Sequence, residues 1–303
     1  MSTHLRGHLS VTGAALLWGI SGALAKYLFA NKSVDPFLLV QIRLGLSFLL
    51  LALVLAVLAP RLLRVGRGDL SFLAIWGVVG MAAVQYTYLF TISETNVATA
   101  IFLQYLAPII TALYAWLFER QRMGPVLVGA LALAVTGSYL LVFGTTARLL
   151  VSPLGLASGL ASAAALSFYT IYGSKRVGRL SPWTLLCYGL GIGFLFWLLV
   201  DLGLLAVGRV PVNLAPLSDS SLWLFFAYIA SLATVVPFGL YLVGLRWISP
   251  THATLTGMLE PVMGGLAAFL FLGERLQAIQ VLGGGLIVGA VVLLQTVQQK
   301  QRA

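Results

Sequence analysis

Charge is what this chain has least of. Only 9% of its 303 residues are Asp, Glu, Lys or Arg, against roughly a quarter in a soluble domain. So few charges cannot cover the surface of a soluble fold of this length. With 60% hydrophobic residues and a mean hydropathy of +1.01, the composition is that of an integral membrane protein. Acidic residues are the scarcest, 8 against 18 basic ones. The surplus of +10 is no nucleic-acid footprint, because the basic residues cluster between apolar runs, as topology signals do. A single cysteine, Cys187, excludes an intramolecular disulfide and a cysteine metal site, and reads as a small hydrophobe. The sequence contains neither H-E-x-x-H nor a G-x-x-x-x-G-K-[ST] loop, so zinc peptidase chemistry and ATP-driven pumping by this chain have no motif to rest on. No cofactor is expected.

What is present is a series of ten apolar runs, at roughly 9–29, 36–59, 70–92, 97–118, 124–144, 153–174, 182–206, 221–245, 251–272 and 277–296. Each is long enough to cross a bilayer, since about 20 residues at 1.5 Å rise span a ~30 Å core. Short, breaker-rich separators leave no room for a soluble domain and make successive helices antiparallel neighbours. The first run also resembles a secretory signal ending in Ala23-Leu24-Ala25, but it continues apolar to Phe29 and reads as a transmembrane helix. Counting Lys and Arg by separator, with the N-terminus inside, puts twelve on inner segments and five on outer ones. Both termini are therefore expected in the cytoplasm.

The landmarks recur. A shift of 153 superposes Tyr88 on Tyr241, Ala100 on Ala253 and Pro108 on Pro261, and a shift of 155 superposes Glu119-Arg120 on Glu274-Arg275. Two units follow, 1–146 and 147–303, each with five helices. Because five is odd, the second unit is expected to cross the membrane upside down, forming two five-helix inverted repeats with a site between them. The fold class is all-α integral membrane.

These landmarks carry a resemblance. Ten spans, a duplicated unit, Glu260-Pro261 followed by Gly273-Glu274-Arg275, and Trp18-Gly19 in the first span resemble the EamA-type drug/metabolite transporter superfamily over essentially the whole chain. The first helix and the aromatic third and fourth helices look most similar to a bacterial aromatic amino-acid exporter. The sequence departs from a perfect duplication at Ala107, which stands where the second copy has Glu260. The resemblance implies export of small amphipathic metabolites, amino acids including aromatic ones, across a bacterial inner membrane by alternating access. Drugs or nucleotide-like metabolites are the alternative cargo.

Glu260 is the residue that most needs a reason, since a carboxylate near mid-bilayer costs at least ~2.5 kcal/mol. It could bind a substrate ammonium or carry a proton, or it could bond backbone freed by the helix-breaking prolines Pro108, Pro237 and Pro261. Arg43 is expected to snorkel towards the outer interface, with pairing to Glu260 or contact with a substrate carboxylate as the alternative. Trp18, Gln85, Tyr88, Tyr105, Phe168 and Tyr241 are expected to line a substrate cavity, or else to pack helices together. Gly155-x-x-x-Gly159 and Gly285-x-x-x-Gly289 are expected to serve packing or hinges within the chain rather than dimerisation. Gly19-Ile20-Ser21-Gly22 matches a G-x-S-G pattern and makes an intramembrane serine protease using Ser21 the lesser alternative, weakened because His252 lies near a cytoplasmic helix start while Ser21 lies well into its helix from that side. The expected partners are a small-molecule substrate, the lipid bilayer and, through Glu260, protons; the expected state is a monomer.

Overall fold

The computed structural model describes residues 3–144, 152–208, 214–272 and 277–300. Glu274-Arg275 lies outside the described residues. The helices are α1 Thr3–Lys32, α2 Pro36–Leu58, α3 Arg67–Glu94, α4 Val97–Leu117, α5 Pro125–Phe143 and α6 Pro153–Ser174. The series continues with α7 Pro182–Ala206, α8 Ser220–Gly244, α9 Pro250–Gly257, α10 Leu259–Leu272 and α11 Ala278–Lys300. The described residues contain no strand. Eight helices, all but α1, α9 and α10, are long and apolar enough to cross a membrane.

Local chemistry sets the boundaries. α2, α5, α6, α7 and α9 all begin with proline in the first turn, where its missing N–H costs nothing. Asp35, Ser152 and Ser249 cap three of these starts by accepting from Phe37 N, Gly155 N and His252 N. The interior prolines act as expected on the turn before them. The chain loosens at Tyr105 (φ −80°, ψ 17°) ahead of Pro108, and at Met258 (φ −62°, ψ −4°) ahead of Pro261. Pro237 instead follows a π-helical turn at Ser231–Val235, and α3 carries a second such turn at Trp76–Ala82. A π-turn has no periodicity signature in a single sequence, so neither is legible there.

The two halves touch reciprocally. A Cβ on Gly45 of α2 would stand 2.9 Å from the Phe194 ring of α7, and one on Gly191 of α7 would stand 2.8 Å from the Phe48 ring of α2. Ser47 of α2 donates to the carbonyl of Ala230 beside the α8 π-turn, while Gly193 of α7 sits at the carbonyl of Gly77 in the α3 π-turn. At the end of the bundle that carries the N-terminus, Asp69 of α3 meets Arg179 at 3.4 Å and Arg176 at 3.9 Å, both from the segment between α6 and α7.

Glycine decides a third contact. α5 and α11 cross so closely that a Cβ on Gly283 would lie 2.5 Å from Leu141 N and 2.6 Å from Gly137 O, both rigid backbone. The expected motif on that helix needs correction: Gly285 and Gly289 face open space, so their spacing does not serve packing within the chain. Gly159 does, against Leu103 of α4. Gly283→Val is therefore expected to lower the apparent Tm of the detergent-solubilised protein, by overpacking worth about 3 kcal/mol. Gly285→Val, one turn-face away, should leave it unchanged. Equal Tm values for the two variants would contradict the contact.

Candidate functional site

The site forms where the α9–α10 break meets α1, α2, α3, α4, α6 and α8. Glu260 sits in the first turn of α10, where the helix resumes after Met258, and is buried. Its Oε2 accepts a 2.7 Å hydrogen bond from the Tyr105 hydroxyl. Tyr105 is itself the residue at which α4 breaks. Both interrupted helices thus bring their break points to one carboxylate. The Glu260 carboxylate thus bonds a side chain, not proline-freed backbone.

Around this pair lies a cavity of about 30 Å³, room for water but not for a metabolite in this conformation. Trp18, Gln85, Tyr88, Tyr105 and Glu260 all line it. The Tyr88 hydroxyl lies close to the same carboxylate but outside good hydrogen-bond geometry, and it and Trp18 Nε1 are buried without a partner. Gln85 Nε2 reaches only the Met81 sulfur, at 3.8 Å. Three donors facing one small cavity are unspent or nearly so, which is costly unless something else satisfies them.

Arg43 requires a correction. Its side chain is buried and lines the cavity; it does not snorkel. Nε donates to Thr234 Oγ1 at 2.7 Å, and a terminal nitrogen donates to the carbonyl of Ala233, also at 2.7 Å. The physical reason is Pro237, four residues on, which has no N–H to offer the Ala233 carbonyl and so leaves it for Arg43. Arg43 and Glu260 face the same space closely enough to act on each other electrostatically, but no ion pair within 4 Å joins them.

Two expected residues are elsewhere. Phe168 stacks on Tyr172 (4.9 Å, 15°) and is only half-buried, while Leu166 of the same helix lines the cavity. Two residues along a helix are about 200° apart, so both cannot face it. Tyr241 stands behind Trp18 (5.6 Å) with its hydroxyl on Thr170 (2.9 Å), as a support for the wall. Among the residues the sequence did not point to, Gln104 and Phe238 also line the cavity. Gln104 was legible in principle, being the last helical residue before the α4 break.

Ser21 lines the cavity too, with its hydroxyl donating to the Trp18 carbonyl at 2.8 Å. His8 Nδ1 bonds the Thr256 hydroxyl and His252 Nδ1 bonds that of Ser249. No group of three metal-ligating side chains occurs among the described residues.

Comparison with known proteins gives a consistent result. A family model described as the EamA-like transporter family matches residues 5–143 and 153–296. The chain is similar to the inner membrane transporter YicL of Salmonella typhimurium, at 31% identity over all of this chain and 99% of the relative. It is similar to the threonine/homoserine exporter RhtA of Escherichia coli K12, at 28% identity over 93% of this chain and 88% of the relative. A probable terminal-alkyne amino-acid exporter of Streptantibioticus cattleyicolor is 27% identical over 83% of this chain and 82% of its own. One solved crystal structure superposes with a TM-score of 0.76 over 98% of this chain and 99% of the other, at 18% identity, a likeness of fold.

Proposed function

We propose that this chain, which belongs to the EamA-like transporter family and is a multi-span membrane protein, exports amino acids through the Glu260 cavity. The observation that carries the reading is the composition of that cavity: one buried carboxylate, one buried guanidinium and unspent Trp and Tyr donors between them. A zwitterion matches this set. Its ammonium would meet Glu260, and its carboxylate would meet Arg43, Trp18 Nε1 and the Tyr88 hydroxyl. The rings of Trp18 and Phe238, packed edge-on at 4.8 Å, would hold an apolar or aromatic side chain. The exporter names of two relatives support the same substrate class. A nucleotide-like cargo fits less well, because one guanidinium is a poor match for several phosphates.

Transport would proceed by alternating access between two inverted five-helix repeats, 1–146 and 147–303, ten spans in all with both termini in the cytoplasm. The reciprocal contacts of Gly45 with Phe194 and of Gly191 with Phe48 favour this arrangement, since a two-fold pseudosymmetry requires such pairs. The nearly closed cavity is then an intermediate, and the repeats must part to admit substrate. Counterflow of radiolabelled threonine, homoserine, phenylalanine and tryptophan in proteoliposomes tests the reading. Saturable uptake of at least one is expected, with its N-acetyl derivative excluded. Uptake of none, or equal uptake of the acetylated form, would refute it.

A further inference from the structure

A second cavity lies at the end of the bundle opposite the N-terminus, between the start of α2, the end of α3 and the outer half of α7. Its volume is about 560 Å³, within the range of small-molecule sites. Phe37, Tyr86, Phe90 and Trp197 wall it, with the carboxyl groups of Asp35 and Glu94 at its edge. α3 separates it from the Glu260 cavity. Gln85 and Tyr88 look one way, and Tyr86 and Phe90, four residues apart, look the other.

The wall is preformed. Phe37 meets Trp197 edge-on at 5.0 Å and Tyr86 at 5.7 Å; Tyr86 meets Trp197 at 4.7 Å and stacks on Phe90 at 5.5 Å. Trp197 is held by its Nε1, which donates to the carbonyl of Ala82 at the end of the α3 π-turn. Negative charge gathers here in a chain whose net charge is +10. Asp35 uses Oδ1 to cap α2 and Glu94 is exposed, and neither has an ion-pair partner among the described residues. Both act electrostatically on the Tyr86 hydroxyl. Asp201 follows Val200, which lines the cavity; one of its oxygens accepts from Gln41 and the other is buried without a partner.

Aromatic faces attract cations, and carboxylates attract the N–H of an ammonium, whereas a metal ion would need a shell of oxygens that rings do not supply. We propose that this cavity is a second binding site, for a free small organic ammonium ion bearing an apolar group, of the arylalkylamine class. The proposal does not rest on amino-acid export. A lipid ethanolamine headgroup offers the same ammonium and is the competing source.

The test is equilibrium dialysis of radiolabelled phenethylamine against the full chain in dodecyl maltoside, with Glu260→Gln protein as the background so that the central carboxylate does not contribute. One saturable equivalent is expected. Its affinity should fall at least tenfold in the Asp35→Asn/Glu94→Gln protein, in which asparagine preserves the α2 cap. N-acetylphenethylamine should not compete. Phenethylamine should also perturb the fluorescence difference between the protein and its Trp197→Phe variant. Unchanged affinity in the double variant, competition by the acetylated analogue, or a silent Trp197 would overturn the proposal. So would phosphatidylethanolamine displacing a probe that otherwise fails to saturate, since the site would then belong to lipid.

Discussion

Glu260→Gln is expected to reduce amino-acid counterflow by roughly 100-fold while the protein keeps its fold. Glutamine is nearly isosteric and its carbonyl can still accept from Tyr105, so the hydrogen bond that orients the side chain survives. What disappears is the negative charge facing the substrate ammonium. Truncating one partner of a desolvated charge pair costs about 2–5 kcal/mol, and each 1.4 kcal/mol is tenfold. Tyr105→Phe should be milder, about tenfold, because it removes one hydrogen bond to the carboxylate and leaves the charge. Counterflow in proteoliposomes, with reconstitution efficiency matched by immunoblot, measures both. A Glu260→Gln protein that transports as the parent does at every pH would mean that the carboxylate only holds Tyr105 in place.

The helical spans were legible because their signal is compositional: apolar runs of the right length separated by proline, glycine and charge survive any reading frame of periodicity. The breaks at Pro108 and Pro261 were legible for the same reason, since proline acts on its own backbone. The cavity was legible wherever depth alone selected a residue, as with Trp18, Tyr105 and Glu260. It failed where rotation about the helix decides. Phe168 and Leu166 are equally deep, and only packing turns Leu166 inward. Gly283 and Gly285 fail in the same way, the motif spacing belonging to the face that meets nothing. Arg43 failed for a further reason. Its partner is a backbone carbonyl 190 positions away; Pro237 marks that carbonyl as free, but nothing local marks its pairing with Arg43. The difference between Ala107 and Glu260 at matching positions was legible too, because the sequence repeats the proline break without the carboxylate.

Arg43 carries the second large expectation, and it separates stability from transport. Arg43→Met fits the apolar volume but strands the Ala233 carbonyl inside the α8 π-turn and leaves Glu260 without the cation that faces it. Charge-assisted bonds of this kind are worth about 1.5–3 kcal/mol each, and an uncompensated buried charge adds more, so a loss of about 3–5 kcal/mol is expected. Arg43→Lys keeps the charge, yet an ammonium lacks the planar fork that spans Thr234 and Ala233 together. It should recover roughly half of the stability and little of the transport. The informative variant is the double one. With Glu260→Gln added to Arg43→Met, the stranded carboxylate is neutral, and the pair should be less destabilised than the sum of the two single losses by about 1 kcal/mol or more. Thermal unfolding of the four proteins in one detergent measures the cycle. Strict additivity would mean that the two side chains serve their own helices separately, and the zwitterion reading of the cavity would lose its cationic half.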